Sequence, residues 1–354
     1  MSDPMRYGDM PVPSALVEQL RGNAGRAESI GKLTPEQLAM VYDRRWFKLF
    51  VPRSLGGLEL SLPEGVRLEE ELARIDGSLG WTVTLCAGAN LFVGYLDRLV
   101  VAPIFADPYV CLGGSGQATG RAAAEGDGFR VSGRWRYATG TPHLTHFTAN
   151  CTLEKEGQDL LDATGKPLVR SFFFPRSDVR IVDDWNAFGL KATASHSFAV
   201  DDLRVSPSQA FSITPEAVTW DDPIYRYPFL PFAETTLAVN TLGMARHFLE
   251  CAASLGKPAL QKLVKSAQLE LAEVRSSFYD VLDTSWNELL RVGELSPEMQ
   301  ESVGKHSRWL VKVSRDRVVA VYPYLGLVGA DATSEINRVW RDIFTASQHA
   351  LLRL

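Results

Sequence analysis

The spacing of apolar positions changes twice along the chain. In GVRLEEELARIDGSLGWTVTLCAGANLFVGYL, the apolar Leu68, Leu72, Ile75 and Leu79 recur at helical intervals. Thr34-Pro35-Glu36-Gln37 reads as a helix start, with a capping hydroxyl, proline in the first turn and glutamine three residues after the cap. Asp76-Gly77-Ser78 reads as the end of one helix and the cap of the next. From about 108 to 210, short runs such as GFRVSGRWRYATG and SFAVDDLRV alternate with period two between turn residues, which predicts five to eight strands. After about 228 the helical period returns in four long segments, the third opening at Ser296-Pro297 and the last running through TSEINRVWRDIFTASQHALLRL. The expected fold class is α+β and mostly α. It has an N-terminal helical domain (1–107), a central β-sandwich or barrel domain (108–212) and a C-terminal four-helix bundle (213–354).

Composition narrows the partners. Of 354 residues, 45% are apolar and 22% charged, an ordinary balance for a globular protein. The net charge of -5 comes without any basic block, so nucleic acid is not an expected partner. No apolar run reaches membrane-spanning length, and MSDPMRYGDMPVPS lacks the basic and apolar regions of a signal peptide. The cysteines at 86, 111, 151 and 251 form no CxxC pair, which predicts neither zinc nor disulfides and points to the cytoplasm.

Several motifs, in order, resemble the acyl-CoA dehydrogenase fold family over nearly the whole chain. These are VPRSLGGLELS, GFRVSGRWRYATG, NAFGLKATASHSFAVDDLRVSP and the glycine turn YLGLVGA around Gly326. Three stretches are more similar to the branch that uses reduced flavin from a separate reductase together with O2. That branch includes the oxygenase component of p-hydroxyphenylacetate hydroxylase, dibenzothiophene monooxygenase and nitrososynthases. The stretches are DGSLGW (76–81), GQATGRAAAEGDGFRVSGRWRYATG and WRDIFTASQHALL. The resemblance implies a flavin-dependent oxidoreductase, a monooxygenase acting on a small-molecule substrate, and a homo-oligomer (dimer or tetramer). An acyl-CoA dehydrogenase with an atypical base and a non-catalytic family member are the alternatives.

The resemblance also assigns residues. Gly113, Gly114, Ser115, Tyr137, Ala138 and Thr139 would face the flavin, with glycine allowing close backbone approach. Lys191 stands where the family carries an arginine, with Ala192 and Ala194 in place of glycines. The family's R-x-x-F-G stretch, which grips the adenine half of FAD, is replaced by ASLGKPALQK, so FMN and FAD both remain open as cofactor. His349 falls near the place of the family's catalytic glutamate, where an imidazole suits hydrogen bonding or proton transfer near neutral pH. Glu234, one residue from an alternative place for that base, is a second catalytic candidate. Arg341, Thr345 and His349 follow i, i+4, i+8 spacing and would line one helix face. His143, His146 and His196 read as loop residues, His247 and His306 as bundle residues facing solvent or neighbours. No metal site is expected.

Overall fold

A computed structural model describes residues 12–353. Most of the segment read above for a signal peptide lies outside them. Five helices open the chain: α1 (Ser14–Ile30), α2 (Pro35–Asp43), α3 (Leu62–Ile75), α4 (Gly77–Asn90) and α5 (Arg98–Phe105). The local signals act where they were read. Thr34 Oγ1 accepts from Gln37 N at 3.1 Å while Gln37 Oε1 accepts from Thr34 N at 3.0 Å, closing a capping box on α2. Asp76 leaves the helical region at φ -155°, ends α3 and accepts from Leu79 N at 2.7 Å to start α4.

Eight strands follow: β1 (Leu112–Glu125), β2 (Gly128–Ala138), β3 (His146–Lys155), β4 (Gln158–Asp159), β5 (Val169–Pro175), β6 (Arg180–Val182), β7 (His196–Val205) and β8 (Ala210–Phe211). They form one mixed sheet in the order β6-β7-β2-β1-β3-β5-β8, with β4 on β3. Only β1 and β3 pair in parallel. The sheet curls over its own face: Trp135 of β2 packs on Phe174 of β5 and Phe198 of β7, and Phe147 of β3 meets Phe198. A sandwich-like core therefore forms within one hydrogen-bonded sheet.

The remaining helices are α6 (Phe229–Ser254), α7 (Pro258–Val292), α8 (Pro297–Val321), the short α9 (Leu327–Ala330) and α10 (Glu335–Ala346). Ser296 caps α8 through Met299 N at 3.4 Å. One cluster of buried apolar side chains runs through all three parts of the chain. Among the described residues no helix is long and apolar enough to cross a membrane.

The last helix stops short of the expected length. α10 ends at Ala346, and His349 takes an extended conformation (φ -60°, ψ 135°) to cap a 3-10 turn at Ala350–Leu352. Thr345 Oγ1 donates back to Arg341 O at 2.9 Å and Ser347 Oγ to Phe344 O at 3.1 Å. Such hydroxyls compete with the backbone ladder at this end of the helix. His349 therefore does not share a helix face with Arg341 and Thr345.

Candidate active site

A cavity of about 150 Å³ opens between α4, α6 and the sheet. Leu85, Gly88 and Ala89 of α4 and Phe232, Ala233 and Leu237 of α6 give it apolar walls, and Gly113–Gly116 of β1 a thin one. Thr84, Thr139, Thr148, Asn150 and Ser171 are among its polar groups. Polar groups set in a mostly apolar recess are the usual make-up of a small-molecule site.

The sequence stretches singled out above meet beside this cavity. Trp81 stands one turn before Leu85 on α4, and His349 packs edge-on against it with ring centroids 6.1 Å apart. Asp342 faces Asp76 across the α3–α4 junction. Its carboxyl is pushed up to about 7, first by burial and then by the Asp76 charge. Asp342 also accepts from Leu190 N at 2.5 Å, and Thr345 Oγ1 accepts from Gly189 N at 2.8 Å. DGSLGW, WRDIFTASQH and the NAFGLKATASHS loop are thus fastened to one another. Arg341 is buried rather than displayed: it pairs with Glu28 and donates to Asn337 Oδ1 at 2.8 Å and Phe188 O at 3.1 Å.

Backbone strain concentrates at the same place. Tyr137 (φ 67°), Leu190 (φ 51°) and Ala194 (φ 44°) are left-handed without being glycine. Such residues persist only where their surroundings over-determine them, and they cluster at functional sites. Ala194 explains why glycine is the commoner choice there. A chain of buried hydroxyls joins the strained segments: Thr139 Oγ1 lies 2.9 Å from Ser195 Oγ, Ser195 Oγ 2.8 Å from Thr193 Oγ1, and Thr193 donates to Leu190 O at 2.8 Å.

Gly113, Gly114, Ser115 and Thr139 line the cavity. The reason for one glycine differs from the expectation. A Cβ on Gly114 would fall 1.9 Å from the carbonyl oxygen of Thr148, so this position is bare to admit β3. Gly116, with nothing within 4 Å of its Cβ position, is the glycine whose backbone is open to a ligand. Ala138 is fully buried in β2. Tyr137 is half exposed and lies edge-on to Trp185, centroids 6.1 Å apart; Trp185 lines a polar cleft between α1 and the 183–196 loop. Lys191 lines that polar cleft and sits 3.7 Å from Glu28. Gly326 occupies the turn after α8 at φ 72°, with Lys257 Nζ 3.3 Å from its Cβ position. Glu234 points away from the cavity, into an ion pair with Arg308 of α8. Its neighbours Ala233 and Thr236 line the cavity instead, as the 100° step per residue dictates. His247 is buried, with Nε2 3.1 Å from Glu335.

Sequence reasoning passed over Glu69, Thr84 and Asn240. Glu69 is fully buried, and neither carboxylate oxygen has a hydrogen-bond partner. Burial pushes its carboxyl well above the usual range, against a smaller opposing contribution from the Thr84 hydroxyl. Asn240 Nδ2 donates to Thr84 Oγ1 at 2.9 Å. A glutamate inside an apolar helical stripe was the available signal.

Residues 235–354 match the family described as acyl-CoA dehydrogenase, C-terminal domain. The chain has an acyl-CoA dehydrogenase-like fold. It is 26% identical to indole-3-acetate monooxygenase of Pseudomonas putida over 86% of this chain and 80% of that protein. It is 25% identical to the flavin-dependent monooxygenase oxygenase subunit HsaA of Mycobacterium tuberculosis, over 95% and 89% of the two chains. The HsaA crystal structure superposes with a TM-score of 0.88 over 96% of this chain and 93% of that one, at 21% identity. XiaF from Streptomyces, solved with FADH2 and glycerol, gives 0.84 over 96% and 92%, at 19% identity. The protein is an enzyme, a flavin-dependent oxidoreductase of the monooxygenase kind.

Proposed function

We propose that the protein is the oxygenase partner of a separate flavin reductase and that it oxygenates a small aromatic molecule with O2. The observation that carries this reading is the largely apolar cavity with glycine-backed walls on one side; His349 packs on Trp81, one turn before the cavity residue Leu85. A space of about 150 Å³ with mostly apolar walls is large enough for a ring about the size of benzene. Bound reduced flavin would supply the electrons with which oxygen is activated.

The residues present fit such a group. Gly116 offers open backbone, Ser115 and Thr139 offer hydroxyls, Tyr137 a half-exposed ring face, and Lys191 a cation for a phosphate once Glu28 shares it. The Phe232, Leu85 and Leu237 walls exclude water from the reacting atoms. Burial, and then Arg353, lower the His349 pKa and so favour its neutral ring. Its Nδ1 accepts from Leu351 N at 3.4 Å, which leaves the proton on Nε2. In its resting form His349 is therefore a hydrogen-bond donor that orients a substrate or oxygen atom. Exposed Trp309, Val319 and Leu327 suit a second copy of the chain against the bundle. The cytoplasm remains the proposed location.

The test supplies chemically reduced FMN or FAD in air with a panel of phenols and indoles, and measures both product and hydrogen peroxide. We expect an aromatic product. His349→Ala should lower its yield by about 100-fold while reduced flavin is still consumed and peroxide rises. A protein that purifies yellow and bleaches with an acyl-CoA without oxygen would overturn this reading in favour of a dehydrogenase. Binding of neither flavin would overturn it in favour of a non-catalytic member.

A further inference from the structure

Cysteines distant in sequence come together on the far side of α4 from the cavity. Cys86 of α4 and Cys111, just before β1, are both fully buried. His143, in the turn before β3, brings Nε2 to 3.8 Å from Cys86 Sγ. The two sulfurs and the imidazole nitrogen all lie within 4.8 Å of one another. In a filled tetrahedral zinc site, sulfur at about 2.3 Å and nitrogen at about 2.0 Å place the ligand atoms about 3.5–3.8 Å apart. The Cys86–His143 pair already has that spacing.

We propose that Cys86, Cys111 and His143 form a binding site for a thiophilic d10 cation, with zinc(II) as the fitting ion. Three features support it. Phe47 stacks on the His143 ring, centroids 5.0 Å apart and planes 10° from parallel, which fixes the direction of Nε2. Gly140, at φ 79°, keeps the space over the ligand atoms clear: a Cβ there would lie 2.6 Å from Nε2 and 3.1 Å from Cys86 Sγ. The Thr139 carbonyl oxygen lies close by, 3.9 Å from Cys86 Sγ, with water the other candidate for a fourth ligand. Two thiolates and a neutral imidazole cancel the ion's charge, so the buried site carries no net charge. Binding releases the thiol protons to solvent and changes no oxidation state. Phe47, which stacks on His143, and Val110, next to Cys111, line a cleft open to solvent.

The ion would staple α4 to the start of β1 and to the 139–143 turn. All three carry cavity residues, Thr84 and Leu85, Gly113, and Thr139. The role is structural, and it stands or falls apart from the proposed reaction.

The reduced full-length protein, stripped with a chelator, is titrated with zinc(II), and in parallel with cobalt(II) as an optical probe. We expect one ion per chain, a thiolate-to-cobalt charge-transfer band with tetrahedral d–d bands, and a melting temperature that rises with ion concentration. Cys86→Ser and His143→Asn should each weaken binding by about 100-fold or more. Cys251→Ser should not; it tests the other grouping, His247 with Cys251 and Glu335. If a variant fails to fold, the cobalt spectrum of the unmodified protein still reports thiolate ligation. No binding at micromolar ion, a cobalt spectrum without thiolate bands, or binding lost in Cys251→Ser and kept in Cys86→Ser would each overturn the proposal.

Discussion

Two neighbouring glutamates on α3, Glu69 and Glu70, are equally buried and electrostatically opposite. Glu70 faces α6 and α7, where it takes Arg246, Arg275 at 2.8 Å and the Tyr279 hydroxyl at 2.6 Å. Glu69, one step of about 100° around the helix, faces the cavity side and has no hydrogen-bond partner. The contrast extends beyond the pair. On the bundle side, Glu71 and Glu250 are held below the usual carboxylate range by Arg74 and Arg21 in spite of burial. Near the cleft, Glu69, Asp76 and Asp342 are pushed up by burial. Ion pairs lock the bundle against α3, whereas on the other side burial works against ionisation of the carboxyls. A charge left unpaired in such surroundings costs several kcal/mol, so proton uptake is the cheaper state.

The largest effect should come from the paired side. Glu70→Ala removes the shared acceptor of two guanidinium groups and a phenol. Breaking a buried pair from one side costs about 3–5 kcal/mol, and the partly exposed Arg246 and Arg275 can turn toward water, which favours the lower end. Urea unfolding should show a loss of about 3 kcal/mol. A loss under about 1 kcal/mol would mean that the bundle side is not held by its ion pairs, and the contrast would fail there.

Asp342 gives the cleft side a pH signature. The folded state keeps its proton up to about 7, whereas an unfolded aspartate loses it near about 3.9. The raised folded value means that the stabilisation is complete below the unfolded pKa and is lost as pH rises through about 7. Stability should therefore fall by about 1 kcal/mol per pH unit over that window. Asp342→Asn keeps an oxygen for Leu190 N and should flatten the slope, leaving only the part of the same sign that Asp76 contributes. Urea midpoints at several pH values read this directly. An unchanged slope would show that Asp342 is ionised and that the cleft resembles the bundle.

Local features were legible in the sequence, and contacts between distant segments were not. The caps at Thr34, Asp76 and Ser296 depend on three or four consecutive residues, so spacing alone located them. DGSLGW and WRDIFTASQH stood out as separate motifs. That Asp76 meets Asp342, and Trp81 meets His349, depends on how α10 packs against the α3–α4 junction. Helical periodicity put His349 on the same stripe as Arg341, because a regular pattern does not register that α10 ends at Ala346. The glycines of β1 were found, but Gly114 serves a strand thirty-odd residues onward. Cys86, Cys111 and His143 were set aside because nothing in their spacing brings them together.

Glu69→Gln should produce the smallest change and is the sharpest test of the contrast. If the Glu69 carboxyl holds its proton, glutamine is a near-isostere with the same absence of charge. Thr84 keeps a polar neighbour in either case. Stability should then stay within about 1 kcal/mol of the parent across neutral pH, because no charge is removed and no partner is orphaned. Glu69→Met, which replaces the polar group with an apolar one of similar volume, should be neutral or stabilising by about 1 kcal/mol. The same glutamine substitution at position 70 should cost clearly more, since its two arginines lose their counter-charge. Two adjacent positions on one helix, given one substitution, thus measure the two environments against each other. Equal losses would mean that Glu69 is ionised and has a partner, and the neutral character assigned to the cavity side would be wrong.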